Sequence, residues 1–511
     1  MALLAPTAMS SKRSHMKNNP NADLWLSRIG FGLILCYCFL ASILFSYFAQ
    51  IHLSLSFLPF PIFVGEIVMF ISLALLGLIS KDGLFNRRTI ILLGLYFGWV
   101  MVRALVDYHH DGPLAARNAA LFYYPIFAVF AYVFYQKARV SRNFLMSLAF
   151  LASGILFFKQ MILWYWWTYL MLLVIAVWNA KTFPWRWLGL IFLAAILLLG
   201  KEYFYQGARA HVVGVLGSII FLGLYFGTLF SKHRNYVPLC GLLVTFFIFI
   251  LGYFVFAEHN AFSSLTSLKR LVDKYNEIDK RYQSMQGSYV PKKLSVHLYN
   301  PKKLEYTFLS APSVVPLPSV TDSDTFYLAM PDLENHQAAA PGHVVPVNIS
   351  KQILHSEIIQ KRTLAVDENN IVFRLFIWRD MARELIEKKA WWGFSFGHPQ
   401  RSKSLEVLDW AKSEWRRDGW IAPHNSFFHI IYRAGILGVF LIIVLFSLMA
   451  KLTKDFLSLE SVEGGLLVSA LVYWLILSNF FVILEFPYNA IVFWTLFGVA
   501  CVYRDEIKKQ L

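Results

Sequence analysis

The sequence predicts an all-α polytopic membrane protein with about twelve transmembrane helices and one large, partly helical extracytoplasmic loop between spans nine and ten. The 511 residues are 57% hydrophobic and only 15% charged, whereas a soluble chain of this length would carry far more charge. Apolar runs of about 18 or more residues, which is the length needed to cross a bilayer, recur along most of the chain. Basic residues fall in alternate short loops, as the positive-inside bias requires.

The apolar runs divide the chain into five segments, predicted as a cytoplasmic tail (1–28), spans one to nine (29–256), a periplasmic loop domain (257–425), spans ten to twelve (426–503) and a second cytoplasmic tail (504–511). The individual spans are predicted at 29–49, 56–79, 89–106, 118–136, 144–158, 161–179, 187–200, 211–230, 237–256, 426–449, 464–484 and 486–503. The lopsided nine-plus-three division and the lack of an internal repeat argue against a transporter built from two related halves.

The formal net charge is +16, but the basic residues are concentrated in loops on one side of the predicted membrane, which is the pattern that sets topology. We therefore expect no nucleic-acid partner. The long segment at 257–425 is nearly balanced in charge. The basic residues that the prediction places on the cytoplasmic side are Lys12, Arg13, Lys17, Lys81, Arg87, Arg88, Lys137, Arg139, Arg142, Lys181, Arg186, Lys232, Arg234, Lys451, Lys454, Arg504, Lys508 and Lys509.

The four cysteines, Cys36, Cys38, Cys240 and Cys501, all lie in apolar runs and offer neither a disulfide framework nor metal-ligand spacing. The sequence also lacks a P-loop, a serine nucleophile elbow and a zinc-protease motif, which disfavours ATP-driven transport and those two hydrolase classes. We therefore expect no metal and no cofactor.

The long loop contains three predicted helices, Phe262–Tyr282, Ile371–Lys389 and Ser404–Arg417, because apolar residues recur there at helical spacing. Residues 289–350 are rich in proline and serine and are predicted to be irregular or partly strand. The aromatic and glycine turn Ala390–Gly397 suits the membrane interface.

Charged residues near membrane depth are functional candidates because burying them in hydrocarbon is costly. Glu66 and Arg103 are expected to form a buried pair between the second and third spans, and Arg433 is expected to pair with an acid. Arg209 opens the eighth span, where a snorkelling arginine and a phosphate clamp are equally good interpretations. The remaining residues of this class are Lys159 and Glu485.

His424 lies where the long loop meets the tenth span. Pro423 disfavours helical geometry before it, and Asn425 or Ser426 can cap the helix that follows. The helix dipole would lower the pKa of the imidazole, so His424 suits a neutral base beside a phosphate, although a simple capping role is the alternative. At about 100° per residue, His429 and Arg433 would point away from His424 on a straight helix.

The stretch from His424 to Gly438 resembles the signature of the bacterial O-antigen ligase family, which is His, then Asn, Ser or Gln, nine residues, Gly, two residues, and Gly, Thr or Tyr. His424, Asn425, Gly435 and Gly438 meet it. Gly207–Ala210 looks like the family's arginine motif at the start of a span. Arg374–Trp378, followed by Gly393 and Gly397, looks like its arginine and glycine segment before the histidine.

The resemblance implies a metal-independent glycosyltransferase in the bacterial inner membrane. Its donor would be an undecaprenyl-pyrophosphate-linked glycan, and its acceptor a glycolipid such as the lipid A–core oligosaccharide. His424 would be the catalytic base, and Arg209 and Arg374 would bind the pyrophosphate. Glu485, Asn425 and Arg117 are candidate supporting residues, since Glu485 could orient a histidine or cap a turn.

Three alternatives stay open from the sequence. An O-antigen or exopolysaccharide polymerase of the same superfamily would carry the same motifs, and a lipid-linked sugar flippase would also need twelve spans. A receptor that binds partners through its outer loop leaves the three motifs unexplained. Trp391, Trp392 and Trp410 could stack on sugar rings or anchor the chain at the membrane.

Overall fold

The computed structural model describes residues 20–44, 48, 51–53, 62–79, 87–140, 165–179, 209–232, 263–286, 371–408 and 423–511. These residues are mainly helical and include one short two-stranded ladder, in agreement with the predicted all-α class. In chain order the elements are α1 Pro20–Leu44, β1 His52–Leu53, β2 Ile62–Phe63, α2 Val64–Leu78, α3 Arg87–Asp111, α4 Pro113–Tyr123, α5 Ile126–Ala138, α6 Trp166–Asn179, α7 Arg209–Lys232, α8 Ser263–Gln286, α9 371–387, α10 Lys403–Val407, α11 Ser426–Ser458, α12 Val462–Leu477 and α13 Pro487–Gln510.

Three of the described helices are long and apolar enough to cross a membrane, namely Asn21–Leu44 within α1, α3 and α11. Helices α4 and α5 together would make a fourth, although a 45° bend separates them. The other apolar helices of this part of the chain are shorter: α2, α6, α12 and Val213–Leu229 within α7. The predicted spans 144–158, 187–200 and 237–256 lie outside the described residues.

Several predicted boundaries differ from the observed ones for local reasons. Helix α1 begins nine residues before position 29, because its polar first turn, with a favourable Asp23, gives no hydropathy signal. The second span was predicted from residue 56, but Ile62 and Phe63 pair with β1 in an antiparallel ladder, so α2 starts only at Val64. The fourth predicted span, 118–136, is divided at Pro125, which follows α4 and precedes α5.

Helix α12 is the centre of the larger hydrophobic core. Its residues are buried on every face, as expected of a helix that is hydrophobic all round, and α6, α7, α11 and α13 pack against it. Buried indole groups find polar partners there: Trp167 Nε1 donates to Ser469 Oγ over 3.0 Å, and Trp474 Nε1 donates to Thr168 Oγ1 over 2.8 Å. A second core cluster joins α1, α2, α5 and α13.

Residue contacts divide the chain into two compact units, 1–273 with 374–511, and 274–373. In the second unit, α8 carries an ion pair of 3.2 Å between Lys274 and Glu277 on its exposed surface. The predicted loop helices Phe262–Tyr282 and Ile371–Lys389 are present as α8 and α9. Of Ser404–Arg417, only the part covered by α10 is described as helix, and 289–350 and 409–422 lie outside the described residues.

Helix α11 is interrupted at Gly435, whose φ of 55° and ψ of −132° are not helical. The interruption leaves backbone groups unpaired within the helix, and the segment 391–394 supplies their partners. Ile436 N donates to Trp391 O over 2.8 Å, and Phe394 N donates to Tyr432 O over 2.9 Å. A side chain at Gly435 would overlap the Trp391 carbonyl. Sequence reasoning predicted only a close-packing notch here, and the structure adds a break in the helix.

We predict that Gly435→Ala destabilises the protein by about 3 kcal/mol or more, because a positive φ is strained for alanine and the added methyl overlaps backbone. Thermal unfolding of the purified protein in detergent measures the effect. The matched control is Gly98→Ala in α3, where an added Cβ meets no atom within 4 Å. This control should change stability by about 1 kcal/mol at most. Equal stability of the two variants would contradict the proposed role of Gly435.

Candidate functional site

His424 lies in the turn before α11 and not in the helix. Its φ is 50°, and Asn425 is the N-cap residue, with Oδ1 accepting a hydrogen bond of 2.9 Å from Phe428 N. Trp378 of α9 holds the turn from the other side, because its Nε1 donates to Pro423 O over 2.6 Å. The Trp378 ring also stacks on Phe428. Of the two predicted capping residues, Asn425 is the N-cap. His424 precedes it, so the direction of the His424 side chain is not set by α11.

The imidazole of His424 is neutral at pH 7. Burial lowers its pKa to about 4, with a further lowering by the charge of Arg374 and an opposing contribution from Glu485. The pKa of His424 is therefore low, as predicted, but the causes are burial and a neighbouring cation. The cause expected from the sequence is the helix dipole. Within the described residues, the imidazole makes no hydrogen bond. A neutral imidazole has one ring nitrogen with a lone pair that can accept a proton.

Arg374 projects from α9 to the turn between α12 and α13. Its Nη1 donates to Phe480 O over 3.0 Å, and its guanidinium lies 5.6 Å from the centre of the Phe481 ring. His211, in the first turn of α7, packs its ring 5.6 Å from the same Phe481. The structure thus brings Arg374, His424 and the start of α7 into one neighbourhood. Arg209 is the first residue of α7, and its side chain lies outside the description.

Ser426 ties the turn at 478–486 to the start of α11. Its backbone N donates to Ser478 O over 2.8 Å, and its hydroxyl donates to Phe481 O over 3.2 Å and accepts from Leu484 N over 3.1 Å. These bonds place Glu485, the next residue in the turn, beside the site. Sequence reasoning considered Ser426 only as a capping residue, because no periodic pattern reveals a contact with a turn about 55 residues away.

A buried polar chain runs from Glu485 through His429 to Arg433. Glu485 Oε1 lies 2.5 Å from His429 Nδ1, and Arg433 Nε donates to His429 Nε2 over 3.1 Å. Since Nε2 accepts, His429 is the neutral tautomer with its proton on Nδ1, facing the carboxylate. Burial favours the neutral acid, but His429, Arg117 and Arg433 outweigh it and hold the pKa of Glu485 below its ordinary value.

The structure gives Glu485 and Arg433 partners other than those expected from the sequence. Glu485 contacts His429, and its influence on His424 is through its charge alone. Arg433 bonds to His429 and to two backbone carbonyls, where an acid was expected. The predicted angles between His424 and the pair His429 and Arg433 assume one straight helix, whereas His424 lies before the helix. Glu485 contacts His429 and acts on His424 through its charge.

The predicted pair of Glu66 and Arg103 is also wrong. Glu66 Oε1 accepts hydrogen bonds from the hydroxyls of Tyr123, at 2.7 Å, and Tyr124, at 2.8 Å. Arg103 points to Asp107, with 3.4 Å between Nε and Oδ2, and to the backbone of the 390–397 turn. Helical spacing suffices to predict Asp107, four residues after Arg103, as a partner. The two tyrosines and the carbonyls of the turn lie 57 or more residues away along the chain, so the sequence does not reveal them.

Two of the residues predicted to support the site, Asn425 and Arg117, are near it, and their supporting role stays a prediction. Asn425 caps α11, and Arg117 of α4 acts electrostatically on Glu485. Trp410 lies outside the described residues.

No group of three or more His, Cys, Asp or Glu in the described ranges could hold a metal ion. The groups available for chemistry at the site are the neutral imidazole of His424, the neighbouring cation of Arg374 and the carboxylate of Glu485.

We compared the chain with protein-family models, with curated proteins and with solved structures, and none of the three comparisons found a match. The class that the described structure defines is a mainly helical protein with three or four candidate membrane spans.

We predict opposite effects of two charge-removing substitutions on the pKa of His424. Arg374→Gln should raise it from about 4 toward the ordinary value, and Glu485→Gln should lower it further, because the first removes a cation and the second an anion. The pH dependence of diethylpyrocarbonate modification, followed on the His424 peptide by mass spectrometry, reports this pKa. Arg374→Lys keeps the charge and should leave the pKa low. A shift of the same sign in Arg374→Gln and Glu485→Gln would contradict the assignment.

Proposed function

We propose that the protein is a glycan ligase, which transfers a polysaccharide from undecaprenyl-pyrophosphate to an acceptor sugar of the lipid A–core type. The observation that carries the proposal is a neutral histidine beside an arginine at the start of a candidate membrane span. A neutral imidazole can take a proton from an attacking hydroxyl, and a guanidinium can stabilise a departing pyrophosphate. The resemblance of this stretch to the O-antigen ligase signature supports the same reaction.

In the proposed reaction, an acceptor hydroxyl oxygen attacks the anomeric carbon of the donor while His424 removes the hydroxyl proton. The bond between the anomeric carbon and the pyrophosphate oxygen breaks, and the pyrophosphate leaves with the electron pair. Arg374 and Arg209 stabilise the negative charge that develops on it. Glu485 stabilises the imidazolium formed on His424, Arg117 and Arg433 keep Glu485 ionised, and Asn425 holds the turn that carries the base.

We further propose that the chain spans the bacterial inner membrane about twelve times, with residues 257–425 in the periplasm and the site at the outer face. The exposed apolar surface of α3 supports a lipid environment, since Ile90, Leu92, Leu95, Val102 and Leu105 are each more than half exposed. Only 6% of the most apolar window of α3 is buried inside the protein. In water such a surface would be strongly unfavourable, whereas in lipid it is the normal state of a spanning helix.

The envelope glycolipids of a deletion strain distinguish the candidate functions. A ligase predicts undecorated lipid A–core together with accumulated long lipid-linked chains, and a polymerase predicts decoration with single repeats. A flippase predicts lipid-linked single repeats that stay on the cytoplasmic side. An unchanged glycolipid profile would contradict the whole proposal.

We predict that His424→Ala lowers transfer at least about 100-fold, since a general base contributes roughly 10²–10⁴ in rate. Complementation of the deletion strain and a lipid-linked donor assay both measure the loss. The matched control is His110→Ala, because His110 is an exposed histidine at the end of α3 and should be dispensable. Normal transfer by a stably inserted His424→Ala protein would contradict the role of general base.

A further inference from the structure

The turn at 390–398 has an unusual combination of features: an irregular backbone, two exposed tryptophans and buried charged partners. Trp391 is 58% exposed and Trp392 is 73% exposed. Neither indole is required by the proposed transfer reaction.

The first observation is that the turn contacts two candidate spans, α3 and α11, several residues away from the nearest end of each helix. It binds α11 at the Gly435 break, nine residues after Ser426, which is about 14 Å along a helix. It binds α3 through Arg103, eight residues before Asp111, which is about 12 Å. Both helices are long and apolar enough to cross a membrane. With Ser426 and Asp111 at the membrane boundary, as the proposed topology requires, the two distances place the tip of the turn at a similar depth, in the outer part of a bilayer about 30 Å thick in its hydrocarbon core.

The second observation is that α3 and α11 satisfy the backbone of the turn. Arg103 donates from Nη1 to Trp392 O over 3.2 Å and from Nη2 to Phe394 O over 2.8 Å. Asp107 accepts from Phe396 N over 2.7 Å, and Asn118 of α4 donates to Phe396 O over 2.6 Å. A turn in water would not need these partners, whereas irregular backbone at membrane depth is tolerated only when the protein pairs its polar groups.

Arg433 completes the pairing from the side of α11. Its Nη1 donates to Ser395 O over 2.6 Å and to His398 O over 2.7 Å. Gly393, with a φ of 75°, allows the turn to approach this helix, because a Cβ there would lie 2.5 Å from the Arg433 backbone. The guanidinium groups of half-buried Arg103 and buried Arg433 thus cover carbonyls of the turn, and the two indole side chains of the turn are exposed.

The third observation is that the surface around the tryptophans is apolar. Val102 and Val106 flank Arg103 on α3 and are 64% and 51% exposed. Ile436, which bonds to the Trp391 carbonyl, is 58% exposed. The indole rings therefore continue the exposed apolar faces of two candidate spans. Indoles are enriched at this level of membranes because they combine an apolar body with a polar N–H group.

We propose that residues 390–398 form a re-entrant turn in the outer leaflet and that Trp391 and Trp392 form a lipid-binding surface on it. The partner is membrane phospholipid at the boundary between acyl chains and headgroups. The inference rests on the membrane part of the proposed function and does not depend on glycan transfer. It assigns Arg103, Asp107 and Asn118 the role of pairing the backbone of this turn.

The test uses the full chain labelled with fluorotryptophan and reconstituted in phospholipid nanodiscs. Trp391→Phe and Trp392→Phe each remove one fluorine resonance and thereby assign it. We expect a nitroxide-bearing phospholipid to broaden both resonances strongly, and a water-soluble gadolinium chelate to leave them nearly unchanged. Trp474, which is fully buried, should respond to neither reagent and is assigned with Trp474→Phe.

Trp178, 45% exposed near the end of α6, separates failure of this inference from failure of the membrane proposal. If the lipid nitroxide broadens Trp178 but not Trp391 and Trp392, the re-entrant turn is refuted and the membrane proposal stands. If it broadens none of them, the membrane proposal fails too. Stronger broadening of Trp391 and Trp392 by the gadolinium chelate would mean that they face water, as a sugar-stacking surface would.

Discussion

The buried guanidinium of Arg433 connects the two polar systems of the protein. On one side it bonds to the carbonyls of the 390–398 turn, and on the other to His429, which faces Glu485. A charged group without such partners would be very costly in an apolar interior. The break at Gly435 lies two residues further along α11 and allows the turn to approach. The position of the turn and the ionisation of the carboxylate near His424 therefore depend on the same side chain.

The properties of His424 follow from where α9, α11 and the turn at 478–486 meet. Asn425 is the N-cap of α11, so the helix begins after His424. The direction of the imidazole is therefore not set by the helix. Arg374 supplies a cation that disfavours protonation of His424, and Glu485 supplies an anion that favours it. In the proposed transfer reaction, these two opposed charges would suit a base that takes up a proton and then releases it.

The long apolar helices and the cap of α11 could be predicted from the sequence, because they depend on local patterns of residues. Apolar length predicts α1, α3 and α11, and Asn425 has the side chain of a helix cap. The non-local pairings could not be predicted. Glu66 and Arg103 each have several polar groups as possible partners, and apart from Asp107, which is four residues from Arg103, the observed partners lie 57 to 291 residues away. The predicted angle between His424 and His429 does not apply for a different reason, because His424 lies outside the helix.

The most direct test of the account is glycan transfer by the purified protein alone. The protein would be reconstituted in nanodiscs with a synthetic polyprenyl-pyrophosphate-linked oligosaccharide and purified lipid A–core as acceptor, in the presence of a metal chelator. The account predicts a glycosylated acceptor and free polyprenyl pyrophosphate in equal amounts. No product from an inserted, folded protein with both substrates present would contradict it.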